Sequence, residues 1–288
     1  MNDLTRDYFR TGFKRWIRWI AIAVVFAIAC GFLANWQWNR RIQVVKLITR
    51  IDRNYNHSAV PLDELVPRTG SFNIHKEYRP VLVEGRYLTA KQILLRNQIN
   101  NGNPGFDVLV PFQIESGAAA GRIVVIDRGW VSVGQNQDSP DAIPAAPTGR
   151  IRLVGRLIHH QQPDTRTAPK GQAMRIHMPT LNKQWKFAPD SLYQGAYLKL
   201  AVEDPKASSY PALATKPDIT EGNHLSYAFQ WVLFAVLGFL AIGANIRQDL
   251  REKRVKEDPN FVPKPPRRRR LGDKDKEEED AILDRAGA

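Results

Sequence analysis

The sequence has almost no cysteine, which limits both its stabilising chemistry and its reactive chemistry. Among its 288 residues there is one cysteine, Cys30, and it lies inside an apolar run. A single cysteine excludes an intrachain disulfide and a cysteine-based metal cluster. The large domain must therefore be stabilised by its hydrophobic core, and its length is sufficient for such a core.

The motifs of the common catalytic classes are missing as well. There is no Gly-x-Ser-x-Gly nucleophile elbow, no His-Glu-x-x-His zinc helix and no glycine-rich phosphate-binding loop. We therefore expect that the protein is not an enzyme. We expect neither catalytic residues nor a resident metal ion.

Charged side chains are absent from a long stretch near the C-terminal end. From Leu225 to Ile246 there are 22 residues without Asp, Glu, Lys or Arg, and a helix of about 20 apolar residues crosses the hydrocarbon of a bilayer. A second apolar stretch has two tryptophans at each end, where indole rings are expected at the level of the headgroups. We predict transmembrane helices at residues 16–38 and 224–246.

Basic residues predict the orientation of both helices. Four Lys or Arg residues precede the first apolar stretch and a fifth lies in its first turn, and five more follow the second between Arg247 and Lys256. By the positive-inside bias both termini are cytoplasmic, as in a multi-pass protein of the cell (plasma) membrane. This organisation gives a cytoplasmic tail at residues 1–15, an extracytoplasmic domain at 39–223, and a charged, disordered cytoplasmic tail at 247–288.

The net charge of +13 has a simpler explanation in this topology than in binding to nucleic acid. We therefore expect no nucleic-acid partner, whereas Arg267–Arg270 are expected to lie against anionic membrane lipid. A cleaved signal peptide or a lipoprotein site at Cys30 is the alternative for the first stretch. Trp36 and Trp38 continue the interface pattern beyond Cys30 and favour an uncleaved helix.

The region between the apolar stretches has the pattern of a β-rich domain. Residues 39–58 lack Gly and Pro and predict that the first helix continues beyond the membrane, and residues 61–66 predict one or two further helical turns. We predict strands, separated by Gly- and Pro-containing turns, at residues 79–87, 92–96, 106–114, 122–130, 150–157 and 196–202. The fold class is a membrane protein of α+β type, whose sheet curls or packs on itself.

The segment Asp127-Arg-Gly-Trp130 is a candidate contact for a partner protein. Gly129 would allow a bulge or a close approach of another backbone segment. Arg128 could pair with Asp127 or with Glu115. Because aromatic and Arg side chains dominate the hot spots of protein interfaces, we consider Arg128 and Trp130 as partner-binding residues.

The start of the second apolar stretch is unusually polar and aromatic. On a helix, His224, Tyr227 and Trp231 share one face, with small residues further along it. Small residues admit a second helix or a flat ligand, and a neutral imidazole is a natural axial ligand of heme iron. The alternative is an interfacial histidine in the headgroup zone, with Tyr227 and Trp231 as residues of the aromatic belt.

Two other segments contain candidate metal ligands. His159 and His160 are adjacent, so on a strand they would point to opposite faces, and we interpret them as a solvated pair. Met174, His177 and Met178 form a soft set that would suit Cu(I). The alternative for this set is a methionine-bearing β segment that packs on the core.

Several short segments occur in a characteristic order: Trp36-Gln37, Arg79-Pro-Val81, Glu84-Gly-Arg-Tyr87, Leu94-Leu-Arg-Asn97, Val108-Leu-Val-Pro111, Asp127-Arg-Gly-Trp-Val131, Gly155-Arg156 and Gly222-Asn-His-Leu-Ser-Tyr-Ala-Phe-Gln-Trp231. With the two apolar stretches, they resemble the Surfeit locus protein 1 family of cytochrome c oxidase assembly factors. The family commonly has Asn where this chain has Asp127.

The resemblance implies an assembly or biogenesis factor for cytochrome c oxidase, the heme–copper terminal oxidase, rather than a catalyst. It implies cytochrome c oxidase subunit I and other respiratory-complex subunits as partners. It also implies the hypothesis that heme a is held transiently for subunit I, with His224 as the ligand beside Tyr227 and Trp231. The expected partner contacts are Trp36, Gln37, Arg128, Trp130 and Gln230. One alternative is an accessory subunit that stays bound to the oxidase complex, and another is copper delivery through the Met174–Met178 segment.

Overall fold

The structure, a computed structural model, describes residues 3–66, 72–135 and 138–257. The described chain forms two compact units. We call the first the helical unit: it contains the described residues up to Trp38 and from Asn223 onward. The second, Asn39–Gly222, is called the β domain.

The helical unit consists of two long apolar helices. Helix α1 is Asp3–Asn54, of which the part up to Trp38 belongs to this unit, and helix α4 is His224–Glu257. Both are long and apolar enough to cross a membrane, and only 11% and 6% of their most apolar 18-residue windows are buried. Core helices of a soluble protein would be largely buried, so these helices indicate association with a membrane.

Small residues form the contact between the two helices. Among the described residues of the helical unit, the buried positions are Ala23 and Cys30 of α1 and Ala228 of α4. A Cβ atom added to Gly238 would lie 3.4 Å from the ring of Phe26. The least exposed positions recur every three or four residues, as in helix pairs that pack through small side chains. The face of α4 on which the small residues were identified is therefore covered by α1.

Polar contacts at both ends show that the two helices are antiparallel. At one end Gln37 contacts His224. At the other end Asp249 accepts a hydrogen bond from the Trp16 indole N–H over 2.9 Å and pairs with Arg15. The ends of α1 and α4 that lead into the β domain are therefore neighbours.

Both helices are longer than the predicted spans. Helix α1 begins at Asp3 and so includes most of the predicted tail at residues 1–15. The prediction of disorder is wrong for residues 247–257, where α4 continues and Gln248 donates a hydrogen bond to Glu252 one turn later. Side-chain pairs at this spacing stabilise exposed helices. The rest of the predicted tail, with Arg267–Arg270, lies outside the described residues.

The β domain is built on an eight-stranded sheet in the order β1-β2-β6-β8-β5-β4-β3-β7, in which β2 also pairs with β4. This extra pairing closes β2, β6, β8, β5 and β4 into a ring, which confirms that the sheet curls on itself. The strands are β1 Val60–Pro61, β2 Pro80–Tyr87, β3 Ile93–Asn100, β4 Asn103–Ile114, β5 Ile123–Ser132, β6 Ile151–His159, β7 Gln172–Ala173 and β8 Ala196–Asp204. All six predicted strands are present.

The alternation of side chains produces two hydrophobic cores. Val108 and Val110 of β4 belong to the core inside the ring, together with residues of β2, β5, β6 and β8. Leu109, between them, belongs to a second core on the outer face. Successive side chains of a strand point to opposite faces. Strand β4 is therefore buried on both sides, as its continuous apolar run predicts.

The second core is covered by a helix that the sequence did not reveal. Helix α3, Met178–Trp185, contributes the buried side chains of Met178, Leu181 and Trp185. The alternative of a β segment at Met174–Met178 is wrong, because residues 174–177 follow strand β7 without regular structure and Met178 is the first residue of α3. Its packing on the core, through Ile176 and Met178, is confirmed. The spacing of Met178, Leu181 and Trp185 was the available signal, since residues three and four apart share one helical face.

The last turns of α1 and a short helix complete the β domain. Arg50 pairs with Glu77 over 2.8 Å, and the Asn54 side chain donates hydrogen bonds of 2.7 Å to the carbonyls of His75 and Glu77. Helix α2, Leu62–Leu65, follows. The predicted continuation of the first helix beyond residue 38 is therefore present, and it ends at Asn54.

Candidate functional site

A bulge at Gly129 organises the Asp-Arg-Gly-Trp segment at the end of β5. Asp107 of β4 lies opposite Trp130, but Leu109, two residues further along β4, lies opposite Asp127. Strand β5 therefore has one extra residue, and Gly129 has a φ of 123°, which favours glycine. A Cβ atom there would also lie 2.5 Å from the carbonyl oxygen of Ala212. Both expectations for Gly129, the bulge and the close backbone approach, are confirmed.

The side chain of Arg128 points into the ring of strands. It is 0% exposed, and its guanidinium donates to the carbonyl oxygens of Pro144 over 2.7 Å and Ala145 over 3.1 Å. The guanidinium carbon also lies 5.6 Å from the ring centroid of Tyr87. The Tyr87 hydroxyl donates a hydrogen bond to buried Glu203 over 2.6 Å. Burial of the Tyr87 side chain raises the pKa of its hydroxyl. Arg128 is thus part of a buried polar network.

The expected roles of Arg128 require correction. It pairs with neither Asp127 nor Glu115, and its guanidinium lies in the interior rather than on a surface that a partner could contact. The reason is register: Val124 and Ile126 belong to the inner core, and Arg128 follows them on the same face. A buried guanidinium is tolerated when carbonyl groups accept its hydrogen bonds.

The bulge returns Trp130 to the outer face, beside a polar cleft of about 480 Å³. The half-buried Trp130 donates its indole N–H to the carbonyl of Gln98 over 3.3 Å. Its backbone exchanges hydrogen bonds of 2.9 and 2.7 Å with Ala212. Trp130 is therefore fixed by the β3–β4 hairpin and by the segment that precedes α4, and its indole lines the cleft.

Three charged side chains from adjacent strands form the floor of this cleft: Asp107 of β4, Asp127 of β5 and Lys199 of β8. The Lys199 ammonium lies 3.6 Å from Asp127 Oδ2, and Asp127 Oδ1 accepts the backbone N–H of Gly129 over 3.0 Å. Burial and the neighbouring Asp127 raise the pKa of Asp107 to about 7, against the influence of Lys199. Burial also raises the pKa of Asp127.

The second candidate site lies at the start of α4, where His224 and Gln37 meet. His224 is half-buried, and its Nδ1 lies 2.9 Å from Oε1 of Gln37. An amide oxygen can only accept a hydrogen bond, so Nδ1 carries the hydrogen in this contact. In a neutral imidazole with this tautomer, Nε2 retains its lone pair. The structure thus brings together the expected cofactor ligand and one of the expected partner contacts.

The aromatic side chains near His224 differ in exposure. Tyr227 is 48% exposed and Trp36 is 60% exposed. Trp231 is half-buried, and its ring lies edge-to-face with that of Phe234 at a centroid distance of 5.8 Å. Gln230 is exposed. Trp36, Tyr227 and Gln230 therefore offer surface to a ligand or a partner, whereas Trp231 also contributes to packing.

Three other histidines, His159, His160 and His177, form a group of neighbouring rings. His159 and His160 lie edge-to-face at a centroid distance of 4.9 Å, and His160 stacks on His177 at 5.5 Å. His177 Nδ1 contacts the Thr180 hydroxyl over 2.7 Å, and Met178 is fully buried in the second core. Among the described residues, no group of three or more His, Cys, Asp or Glu side chains is arranged to hold a metal ion. Methionine thioethers are not among these side chains, but the burial of Met178 in the second core does not favour the copper alternative.

Sequence reasoning missed Asp107 and Lys199. Each is the one charged residue of a mostly apolar stretch, Asp107 in Phe106–Ile114 and Lys199 in Ala196–Val202. Charged residues are rarely buried unless they are paired, and that rarity was the available signal. Their proximity depends on the order of β4, β5 and β8, which only the structure provides.

The fold and these sites define a class of protein: a membrane-associated α+β protein with a closed β domain between two apolar helices and an imidazole at the start of the second. More particularly, the chain belongs to the SURF1 family, whose family model matches residues 24–236. It is 27% identical over 251 residues to uncharacterized SURF1-like proteins of Mycobacterium bovis and Mycobacterium tuberculosis, covering 84% of this chain and 90% of theirs. It is also 27% identical over 125 residues to the cytochrome oxidase assembly protein SHY1 of Saccharomyces cerevisiae, covering 43% of this chain and 30% of the yeast protein.

Proposed function

We propose that this protein is an assembly factor for cytochrome c oxidase that holds heme a transiently and hands it to subunit I. Membership of the SURF1 family and similarity to a yeast protein named for cytochrome oxidase assembly support the assembly role. The hydrogen bond between His224 and Gln37 is the observation that supports the heme-binding step.

The contact with Gln37 prepares His224 to act as a ligand. Histidines that bind metal usually donate their other ring N–H to a carbonyl or carboxylate, which fixes the tautomer and the orientation of the ring. Gln37 Oε1 is such an acceptor at 2.9 Å from Nδ1. The imidazole of His224 would therefore fit heme iron, which accepts a histidine nitrogen as a ligand. His224 would hold the iron through Nε2, and Tyr227 and Trp231 would contact the macrocycle.

The proposed topology places this site on the outer side of the plasma membrane, with both termini in the cytoplasm. The basic residues that flank the two helices support this orientation. Trp36, Gln230 and Trp130 are proposed as contacts to oxidase subunits, subunit I among them, because their side chains are wholly or partly exposed.

An absorption spectrum tests the heme-binding step directly. The full-length protein is purified in detergent from cells that make heme a, and its heme content is measured for the wild type, His224→Ala and His57→Ala. His57 is an exposed histidine of the β domain and serves as the matched control. We expect bound heme in the wild type and in His57→Ala, and loss of heme in His224→Ala. Wild-type protein without heme would contradict the proposal.

The Gln37→Leu variant tests the hydrogen bond itself. It retains His224 but removes the acceptor of the Nδ1 hydrogen. Changing a residue that orients a metal ligand typically lowers metal affinity by roughly 10–100-fold. We expect a decrease of this size in heme affinity, whereas unchanged affinity would assign no role to the contact.

Oxidase activity and stoichiometry test the assembly role separately. Cells that lack the protein should contain less active oxidase, and the protein should be substoichiometric in purified oxidase. Full oxidase assembly without it would contradict the proposal. One copy in every mature complex would instead identify the accessory-subunit alternative.

A further inference from the structure

The cleft beside Trp130 contains an acidic side chain that none of the described residues neutralises fully. Asp107 is only 9% exposed, lines the cleft, and makes no hydrogen bond or ion pair with the described part of the chain. Asp127, in contrast, accepts the Gly129 N–H and pairs with Lys199. Because a buried carboxylate without a partner is unfavourable, a cation in this cleft would be stabilised by Asp107.

The charge of the cleft contrasts with that of the chain. The protein has a net charge of +13, yet the described residues that line the cleft supply two carboxylates, Asp107 and Asp127, and one ammonium, that of Lys199. Burial and Asp127 raise the pKa of Asp107 to about 7, so a bound cation would also favour its ionised form. Electrostatic complementarity of this kind selects a positively charged group.

The shape and lining of the cleft favour a guanidinium over a compact cation. The Trp130 indole offers a π surface, and the β3–β4 hairpin contributes the amide side chains of Gln98, Asn100 and Asn101. A guanidinium is planar, donates five hydrogen bonds and stacks on aromatic rings. The volume of about 480 Å³ accommodates such a side chain with part of the backbone that carries it.

We infer that this cleft binds an arginine side chain presented by a partner polypeptide. The contact uses the carboxylate of Asp107 as the charged acceptor and the indole of Trp130 as the stacking surface. This inference goes beyond the assembly role and depends neither on heme nor on His224, so its test is independent of the heme experiments.

The test uses the full-length protein in detergent micelles, labelled with 5-fluorotryptophan. The probe is N-acetyl-arginine methylamide, and its uncharged isostere N-acetyl-citrulline methylamide is the control ligand. The fluorine resonance of Trp130 is assigned with the Trp130→Phe variant. We expect the arginine probe to shift this resonance in a saturable manner, and the citrulline compound to leave it unchanged.

Asp107→Asn and Asp190→Asn are the matched variants, since Asp190 is an exposed aspartate outside the cleft. We expect Asp107→Asn to weaken binding of the arginine probe at least about tenfold, because charge-assisted hydrogen bonds are the stronger ones, and Asp190→Asn to have no effect. Asp107→Asn should unfold at the same or a higher temperature than the wild type, which separates lost binding from misfolding.

Three results would overturn the inference. The Trp130 resonance could fail to respond to the arginine probe, or Asp107→Asn could bind this probe as well as the wild type does. A resonance that responds to calcium chloride and not to the arginine probe would identify a metal site instead.

Discussion

The helical unit and the β domain both contain polar side chains in buried or half-buried positions, but these occupy different places. In the helical unit the polar contacts lie at the two ends of the helix pair, His224 with Gln37 and Asp249 with Trp16. Between them the helices meet through small apolar residues. In the β domain the polar groups lie inside the ring, as Arg128 does, or on the floor of the cleft, as Asp107 does.

This difference follows from the backbone of each unit. A helix satisfies its own hydrogen bonds, so polar side chains in an apolar helix are few and readily visible in the sequence. A closed sheet places every second side chain inside, and a single bulge changes which residues these are. Gly129 moves Trp130 to the cleft while Arg128 stays inside. Changes in the β domain should therefore have larger effects on stability than similar changes in the helical unit.

The largest expected effect is that of Gly85→Ala in β2. A Cβ atom at Gly85 would lie 1.9 Å from the carbonyl oxygen of Gln113, where β2 pairs with β4 and closes the ring. Because backbone must move to admit it, we expect a loss of about 3 kcal/mol or more in the free energy of unfolding. Thermal unfolding followed by near-ultraviolet circular dichroism measures the loss.

Gly31→Ala in the helical unit is the control for Gly85→Ala. An added Cβ at Gly31 meets no atom within 4 Å, and alanine favours a helix over glycine by about 1 kcal/mol. We expect no loss of stability from this substitution. Equal destabilisation by both variants would contradict the comparison between the units.

Arg128→Lys should have the next largest effect. A lysine cannot reproduce the planar pair of hydrogen bonds to the carbonyl groups of Pro144 and Ala145. Removing one partner of a buried ion pair lowers the free energy of unfolding by about 3–5 kcal/mol, which sets an upper limit for this change. We expect a loss of about 2–4 kcal/mol in chemical denaturation. Arg86→Lys on the surface should change the stability by less than about 0.5 kcal/mol. An Arg128→Lys protein as stable as the wild type would contradict the stabilising role that we assign to buried Arg128.

The stability of the β domain should fall slightly as the pH rises, because of the raised pKa of Asp107. The pKa of Asp107 is raised from its ordinary value to about 7 in the folded protein, so the folded state binds this proton more tightly than the unfolded state. Its contribution to stability is fully present below pH about 4 and is lost as the pH rises through about 7. We expect Asp107→Asn to reduce the loss of stability between pH 5 and pH 8, which denaturation at several pH values measures.

The smallest effect is expected for Asp249→Asn in the helical unit. Asparagine still accepts the hydrogen bond of the Trp16 indole, which spans 2.9 Å, but the pair with Arg15 loses its charge. Hydrogen bonds between membrane helices contribute about 0.6 kcal/mol on average, so we expect a change of about 0.5–1 kcal/mol. Denaturation of the helix pair with sodium dodecyl sulfate, followed by tryptophan fluorescence, measures it. A loss as large as that of Arg128→Lys would remove the distinction between the units.

The sequence was informative about the elements and about the bulge. The two apolar helices, the six main strands, the curled sheet and the position of Gly129 were all predicted from composition, periodicity and turn residues. Helix α3 was missed because eight residues show only two turns of the helical pattern. The burial of Arg128 was missed because the sequence does not show on which face of β5 it lies.

The residues of the candidate sites were also predicted only in part from the sequence. His224 was identified because an imidazole is rare at the edge of an apolar stretch, and Gln37 was selected through the family resemblance. Their contact required the antiparallel pairing of α1 and α4. The acidic cleft was not predicted, because Asp107, Asp127 and Lys199 are far apart along the chain and become neighbours only through the order of β4, β5 and β8.

The sequence by itself determined which segments are apolar helices and which are strands, since these follow from the local periodicity and from the conformational preferences of glycine and proline. The tertiary structure decided which polar groups meet, namely His224 with Gln37, and Asp107 with Asp127 and Lys199. Contacts between distant residues depend on strand order, helix pairing and the register that a single bulge sets, and none of these is a local property of the chain.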